Sequence, residues 1–289
     1  STNFLKSGAD DFLAKPLVYE ELLHRVNQNM LLMDKIDEAQ QMHAELLDVH
    51  NQLLYERNIV EDTLLNIRNS EEFNTDNIRY LLSPVEKTAG DIILSAKTAA
   101  GIHNIMLGDF TGHGLPAALS GPTVADIFYS MTEKGFGGAV ILDEINRKLL
   151  ATLPAHIFLA ACFIEYNAQT NDLKLWNSGL PAALHFHQSE FVAELASHNL
   201  ALGITDGLGF AENFLQVDVR QGDRLYLLTD GIIETENPNQ EWFGMQRLCH
   251  FLKKMLENNL PFESLSDELN QFQAVGTQAD DITLIELSI

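Results

Sequence analysis

Leu107-Gly108-Asp109-Phe110-Thr111-Gly112-His113-Gly114-Leu115-Pro116-Ala117-Ala118 is the densest local signal in the chain. The preceding run His103-Asn104-Ile105-Met106-Leu107 reads as a strand that ends at Gly108-Asp109. Glycines then mark a turn. Pro116, in a first turn where its missing N–H leaves nothing unpaired, opens a helix predicted over residues 116–132. A carboxylate at a strand end, beside glycines that let the backbone approach closely, is placed to meet a ligand.

The same local character recurs three times. Asp91 stands in Ala89-Gly90-Asp91-Ile92, Asp230 in Leu228-Thr229-Asp230-Gly231, and Asp280-Asp281 precede Ile282-Thr283-Leu284. Each touches the end of a predicted strand. Singly, each fits a turn residue or a helix cap. Together they form a convergent set, and carboxylates on one point repel each other unless a cation is present. Oxygen ligands of this kind suit Mg²⁺ or Mn²⁺ rather than Zn²⁺ or copper. The residues therefore point to a site for one or two hard divalent cations.

Gly90-Asp91, the Gly108–Gly114 run with Pro116-Ala117-Ala118 after it, Thr229-Asp230-Gly231 and Asp280-Asp281-Ile282-Thr283 occur in a characteristic order. In that order they resemble the metal-dependent (PPM, or type 2C) protein serine/threonine phosphatases, specifically their SpoIIE-like branch, over about residues 80–289. The resemblance implies a sandwich of two antiparallel sheets flanked by helices, and a phosphoserine or phosphothreonine protein as substrate. It implies two ions, Mn²⁺ or Mg²⁺: Asp109 would bridge them and the Phe110 carbonyl would complete one. Asp230 and Asp280 would hold the other, Asp280 being favoured over Asp281, and Asp91 would act through water. Hydrolysis would be a two-metal displacement by water without a covalent protein nucleophile. His113 is either a general acid for the leaving serine oxygen or a loop residue in a slot that also takes Lys or Arg. One departure is visible. The family run after Gly-Asp is an aromatic pair and a second acid, whereas Asp91 is followed by Ile92-Ile93-Leu94-Ser95, which puts a third, weaker metal site in doubt.

Elsewhere strands adjoin strands and helices adjoin helices. Strands are predicted over 92–94, 103–107, 157–166, 173–177, 224–228 and 282–289, and helices over 143–150, 246–257 and 262–272. The pattern reads as α+β with a largely antiparallel sheet. His185 and His187, two apart, share one strand face; without further ligands they do not make a metal pair.

Residues 31–72 contain no Gly and no Pro. Steps of three and four from Leu32 give Leu32, Lys35, Ala39, Met42, Leu46, Val49, Leu53, Glu56, Val60, Thr63 and Ile67, and eight of these eleven are apolar. So narrow a stripe over this length predicts a coiled-coil helix, and with it a homodimer through residues 32–67. Upstream, Gly8-Ala9-Asp10-Asp11-Phe12-Leu13-Ala14-Lys15-Pro16 resembles the end of a response-regulator receiver domain, with a last helix over residues 19–30. The chain opens on Ser1-Thr2, as a piece of a longer regulator would. Three domains are expected: 1–30, a receiver remnant; 31–72, a helical linker; and 73–289, the phosphatase.

Composition narrows the partners. Against 41 Asp+Glu there are 18 Lys+Arg, a formal net charge of −23 over 289 residues. That balance argues against nucleic acid and against anionic membranes as partners. Cys162 and Cys249 are too few for a disulfide framework, and a cytoplasmic location fits best. Retention of Asp91, Asp109, Asp230 and Asp280 favours an enzyme over the alternative, a non-catalytic adaptor with a phosphatase-like fold under receiver control.

Overall fold

The structure is a computed structural model that describes residue 16 and residues 18–68, 73–85, 90–111, 115–154, 156–274 and 278–289. Of the receiver-like stretch only Pro16, in a bend, is among the described residues; residues 1–15 lie outside them, and so does His113. The chain divides into two units, Ser1–Ile59 and Val60–Ile289.

Helix α1, Tyr19–Arg68, is continuous across the stretch that lacks Gly and Pro, with Glu20 and Glu21 in its first turn, where the helix dipole favours negative charge. Its seam residues Leu32, Met42, Leu46, Val49 and Leu53 are all exposed. So are Leu22, Leu23, Val26, Met30 and Met33, which lie off that seam. Stepping back from Leu32 in the same register reaches Gln28, Arg25 and Glu21. The apolar stripe therefore changes register between Met33 and Ala39.

The second unit holds two five-stranded sheets, all of whose pairings are antiparallel. Sheet A runs β1 (Ile78–Ser83), β10 (Ile282–Ser288), β9 (Asp223–Leu228), β6 (Ala183–His187), β7 (Glu190–Leu195). Sheet B runs β2 (Asp91–Lys97), β3 (Ile102–Phe110), β4 (Leu159–Asn167), β5 (Asp172–Ser178), β8 (Leu215–Asp218). Alternation sends successive residues to opposite faces. Ile105, Leu107, Cys162, Ile164, Leu225, Leu227, Ile285 and Leu287 fill the space between the sheets. Met106, Phe163 and Trp176 face the other way, onto helices α2 (Leu115–Glu133) and α3 (Gly138–Thr152). Tyr226, Leu228 and Leu284 face out of sheet A onto α5 (Gly244–Glu257) and α6 (Ser264–Gln273); α4 is the single turn Asp230–Ile233. Strands buried on both faces read as continuous apolar runs, which is why β4 shows no alternation in sequence.

The expected sandwich flanked by helices is what forms. Several boundaries differ from the sequence reading. Helix α3 starts at Gly138, five residues before the predicted start, because the Gly138 N–H donates to Glu165 Oε2 (2.8 Å). A side chain at Gly138 would meet the Phe163 ring at 2.7 Å, so only glycine can begin the helix against the sheet. Strands β1, β6, β7 and β8 were not predicted as strands, apart from the shared face of His185 and His187. Both imidazoles bond the buried carboxylate of Asp223, at 2.9 and 2.6 Å.

Candidate active site

The sandwich brings all five acids to one end of its two sheets. Asp91 opens β2 and pairs in register with Asp109, the penultimate residue of β3. Asp230 begins α4 directly after β9, and Asp280-Asp281 stand directly before β10, the strand that pairs with β9. Sheet B thus contributes Asp91 and Asp109, and sheet A contributes Asp230, Asp280 and Asp281.

Hydroxyls fix this end. Thr229 and Thr283 are fully buried. Thr229 Oγ1 donates to Asp91 Oδ2 at 3.0 Å, and Thr283 Oγ1 donates to the same oxygen. The Thr283 N–H in turn donates to Thr229 Oγ1 (3.1 Å). Sheet A therefore grips the carboxylate of sheet B through two threonines. Gly231 allows the closest approach: a Cβ there would lie 2.1 Å from the Asp281 carbonyl oxygen. Close approach at a glycine beside Asp230 is what the sequence implies; the roles of the two threonines are not visible there. The available signal was a hydroxyl residue immediately before Asp230 and another two residues after Asp281.

Asp280 and Asp281 play different parts. The Asp281 carboxylate is buried and accepts the N–H groups of Val85 (2.8 Å) and Gly90 (2.6 Å), so it fixes the chain just past the end of β1 and the residue directly before Asp91. The Asp280 side chain is exposed, and among the described residues its Oδ1 accepts only the adjacent Asp281 N–H (2.8 Å).

The electrostatics are those of acids without a counter-charge. Burial, and then the neighbouring Asp281 and Asp280, raise Asp91 to about 7 against the pull of the Thr283 and Thr229 hydroxyls. Burial, followed by Asp91, Asp230, Asp280 and Asp281, raises Asp109 to about 8. Asp230 is raised by burial and by Asp280, and Glu234, one turn further along, by burial, Asp230 and Asp280. Glu286 shows the contrast. It is fully buried, yet it meets Arg79 at 2.6 Å, Arg224 at 3.7 Å and the Tyr226 hydroxyl at 2.7 Å. Among the described residues no Lys or Arg pairs with Asp91, Asp109, Asp230 or Asp280. Nor are three His, Cys, Asp or Glu side chains there already gathered into a metal-binding cluster. The donor set is all oxygen, mutually repelling and uncompensated, which fits hard divalent cations.

A two-sheet antiparallel sandwich flanked by helices, with acids from both sheets meeting at one end, defines a protein phosphatase of the PP2C class. The family model for stage II sporulation protein E (SpoIIE) matches residues 101–289, and the chain belongs to that family. It is 26% identical over 283 residues to the phosphoserine phosphatase RsbU of Bacillus subtilis (strain 168), covering 94% of this chain and 81% of that protein. Among solved structures it is similar to the SiaA-PP2C domain of Pseudomonas aeruginosa, with TM-score 0.69 and 21% identity over 82% of this chain and 98% of that one. It is also similar to the PP2C phosphatase domain, with a fragment of the regulatory domain, of the cell fate determinant SpoIIE from Bacillus subtilis, with TM-score 0.60 and 18% identity over 74% of this chain and 63% of that one. The protein is a metal-dependent protein serine/threonine phosphatase.

Proposed function

We propose that this chain removes phosphate from phosphoserine or phosphothreonine on a regulatory protein, by direct attack of water with two Mn²⁺ or Mg²⁺ ions. The observation that supports it is the uncompensated carboxylate set across the β2–β3 and β9–β10 ends. Asp109, Asp230 and Asp280, with the Phe110 carbonyl, would hold the ions. Asp91 would act through water, because Thr229 and Thr283 already occupy one of its oxygens. Asp281 is a positioning residue in this reading, since its oxygens bind the Val85 and Gly90 amides. The ions would supply charge neutralisation for the phosphoryl oxygens and acidify water. The protein's own part is to orient: the threonine hydroxyls fix Asp91, and α4 begins at Asp230 so that its first amides face that carboxylate. His113 is the proposed general acid for the leaving oxygen.

The substrate is a phosphorylated regulatory protein, with an anti-sigma-factor antagonist as the class the family resemblance implies. Residues 1–30 are a receiver remnant, 31–72 a helical linker and 73–289 the phosphatase, and the linker pairs two chains through residues 32–67. A receiver at the start of α1 would act on the phosphatase through that linker. The protein works in the cytoplasm, without nucleic acid or membrane as partner; no helix among the described residues is long and apolar enough to cross a membrane. The deciding experiment is release of phosphate from a phosphoserine peptide by purified protein with and without Mn²⁺. Mn²⁺-dependent turnover that disappears in Asp109→Asn supports the reading, and no turnover in Mn²⁺ or Mg²⁺ overturns it in favour of the adaptor.

A further inference from the structure

Helix α5 is basic in an acidic chain. It carries Arg247, His250, Lys253 and Lys254 against one acid, Glu257, in a protein of formal net charge −23. Its apolar side, Leu248, Phe251, Leu252 and Met255, is buried on sheet A. The opposite stripe, Arg247, His250 and Lys254 at positions i, i+3 and i+7, is exposed. Lys253 is engaged by Glu190 and Glu257. Arg247 and Lys254 have no carboxylate at ion-pair distance among the described residues.

Arg247 is nevertheless held in place. Its Nη1 donates to the carbonyls of Trp242 (2.6 Å) and Phe243 (3.2 Å), and its guanidinium carbon sits 5.0 Å from the Phe272 ring centroid. A guanidinium has further N–H donors on Nε and Nη2, so an ordered cation with free donors faces outward. With Lys254, His250, Gln246, Phe251 and Glu268 it lines a groove of about 400 Å³. Arg247 and Lys254 against Glu268 leave that groove with one net positive charge when His250 is neutral. Trp242, whose backbone carbonyl accepts the Arg247 bond beside this groove, has a side chain that is 56% exposed. Trp242 is tied to the acid end of the sandwich by a closed loop: it bridges Glu236, and the Phe243 N–H donates to the Thr235 carbonyl (2.8 Å), just past α4 and Asp230.

We infer that Trp242 and the Arg247–His250–Lys254 stripe form a docking groove for an acidic, partly apolar segment of the protein substrate, away from its phosphoryl group. Calling that segment part of the substrate rests on the phosphatase reading; the recognition itself does not. Fixed charges beyond about 8 Å are screened at physiological salt, so the nearby charges decide: Arg247 and Lys254 against Glu268 in the groove, and Glu236, which accepts the Trp242 indole N–H at 3.1 Å. The exposed indole is the apolar anchor, and an ordered arginine loses little freedom on binding.

Two measurements test this separately. The first is binding, by titrating metal-free protein with an unphosphorylated acidic peptide containing Leu and Phe, and with its Lys-substituted counterpart. Trp242 emission reports occupancy, because the other tryptophan, Trp176, is fully buried. The acidic peptide should bind at least tenfold more tightly than the basic one, and Lys254→Glu, at a side chain with no ion pair among the described residues, should weaken it about fivefold. Equal binding of both peptides, or binding unchanged in Lys254→Glu, overturns the groove. The second is catalysis, with Mn²⁺ and phosphoserine peptides carrying either tail. Lys254→Glu should raise KM for the acidic substrate alone and leave p-nitrophenyl phosphate turnover unchanged; an equal loss on all three substrates overturns the proposal. Failure of wild-type protein to hydrolyse any of them overturns the phosphatase reading instead, while the binding result still decides the groove.

Discussion

Asp91 and Asp109 face each other across the β2–β3 pair, and neither has a cationic partner among the described residues. Burial disfavours the charged form of both, and neighbouring acids add to it (Asp281 and Asp280 on Asp91; Asp91, Asp230, Asp280 and Asp281 on Asp109), raising Asp91 to about 7 and Asp109 to about 8.

Metal-free stability should therefore fall with pH. A carboxyl whose pKa is raised by folding binds its proton more tightly in the folded chain than in the unfolded one. Its contribution is complete below the ordinary carboxylate range and is lost as pH rises through about 7 for Asp91 and about 8 for Asp109. The melting temperature in EDTA should drop between pH 5 and pH 8.5. Asp109→Asn removes one of the two titrations, so it should flatten that profile and melt above wild type at pH 8.5 while abolishing hydrolysis. Turnover within a few-fold of wild type would remove Asp109 from the mechanism. Ligation requires these acids to lose their protons, so Mn²⁺ affinity should weaken as pH falls below 7.

Thr283→Val tests whether a hydroxyl orients Asp91. Valine keeps the volume of a fully buried side chain but cannot donate to Asp91 Oδ2, which retains Thr229 as a donor. Loss of one hydrogen bond predicts destabilisation of about 1 kcal/mol, whereas groups that orient metal-site ligands are worth about 10–100-fold in activity or affinity. Turnover at saturating Mn²⁺ and thermal denaturation measured together separate the two effects. An activity loss no larger than twofold would make Thr283 a packing residue.

Gly231→Ala should damage stability and activity together. The added Cβ would lie 2.1 Å from the Asp281 carbonyl oxygen, a backbone atom that cannot swing aside. The start of α4 and the strand entry at Asp281 must then separate, moving Asp230 away from Asp280. A cost of about 1–3 kcal/mol is expected for such overpacking. Chemical denaturation of the variant measures it, and a stability equal to wild type would show that the contact relaxes without consequence.

The acids were legible because each stands beside glycine or at a strand end, and the short segments around them repeat that grammar. The hydroxyls were not, since a threonine pair such as Thr229 and Thr283 becomes meaningful only once β9 and β10 are adjacent. The division of labour between Asp280 and Asp281 was readable only as a preference. It is physically defined by the Val85 and Gly90 amides, which are nearly two hundred residues away in sequence. Long buried strands such as β4 announced themselves as apolar runs. The edge strand β7 did not, because Glu190, Phe191 and Val192 are all exposed and no burial pattern marks them. Helix α3 was placed too late because its first residue, Gly138, is chosen for contact with Phe163 rather than for helix propensity.

The dimer reading has its own discriminating test. Helix α1 spans 50 residues, about 75 Å at 1.5 Å per residue, and helices of this kind draw most of their stability from packing on a partner. Leu46 and Leu53 are exposed on the predicted seam, whereas Val26, also exposed, lies on the earlier stripe that is out of register with it. If the contact runs through residues 32–67, Leu46→Asp with Leu53→Asp should give monomers by light scattering at micromolar concentration and reduce helicity. Val26→Asp should leave the dimer intact. Monomeric wild-type protein would overturn the pairing. Dissociation by Val26→Asp with survival of the Leu46/Leu53 variant would move it to the stripe before Met33, leaving residues 32–67 as an unpaired tether.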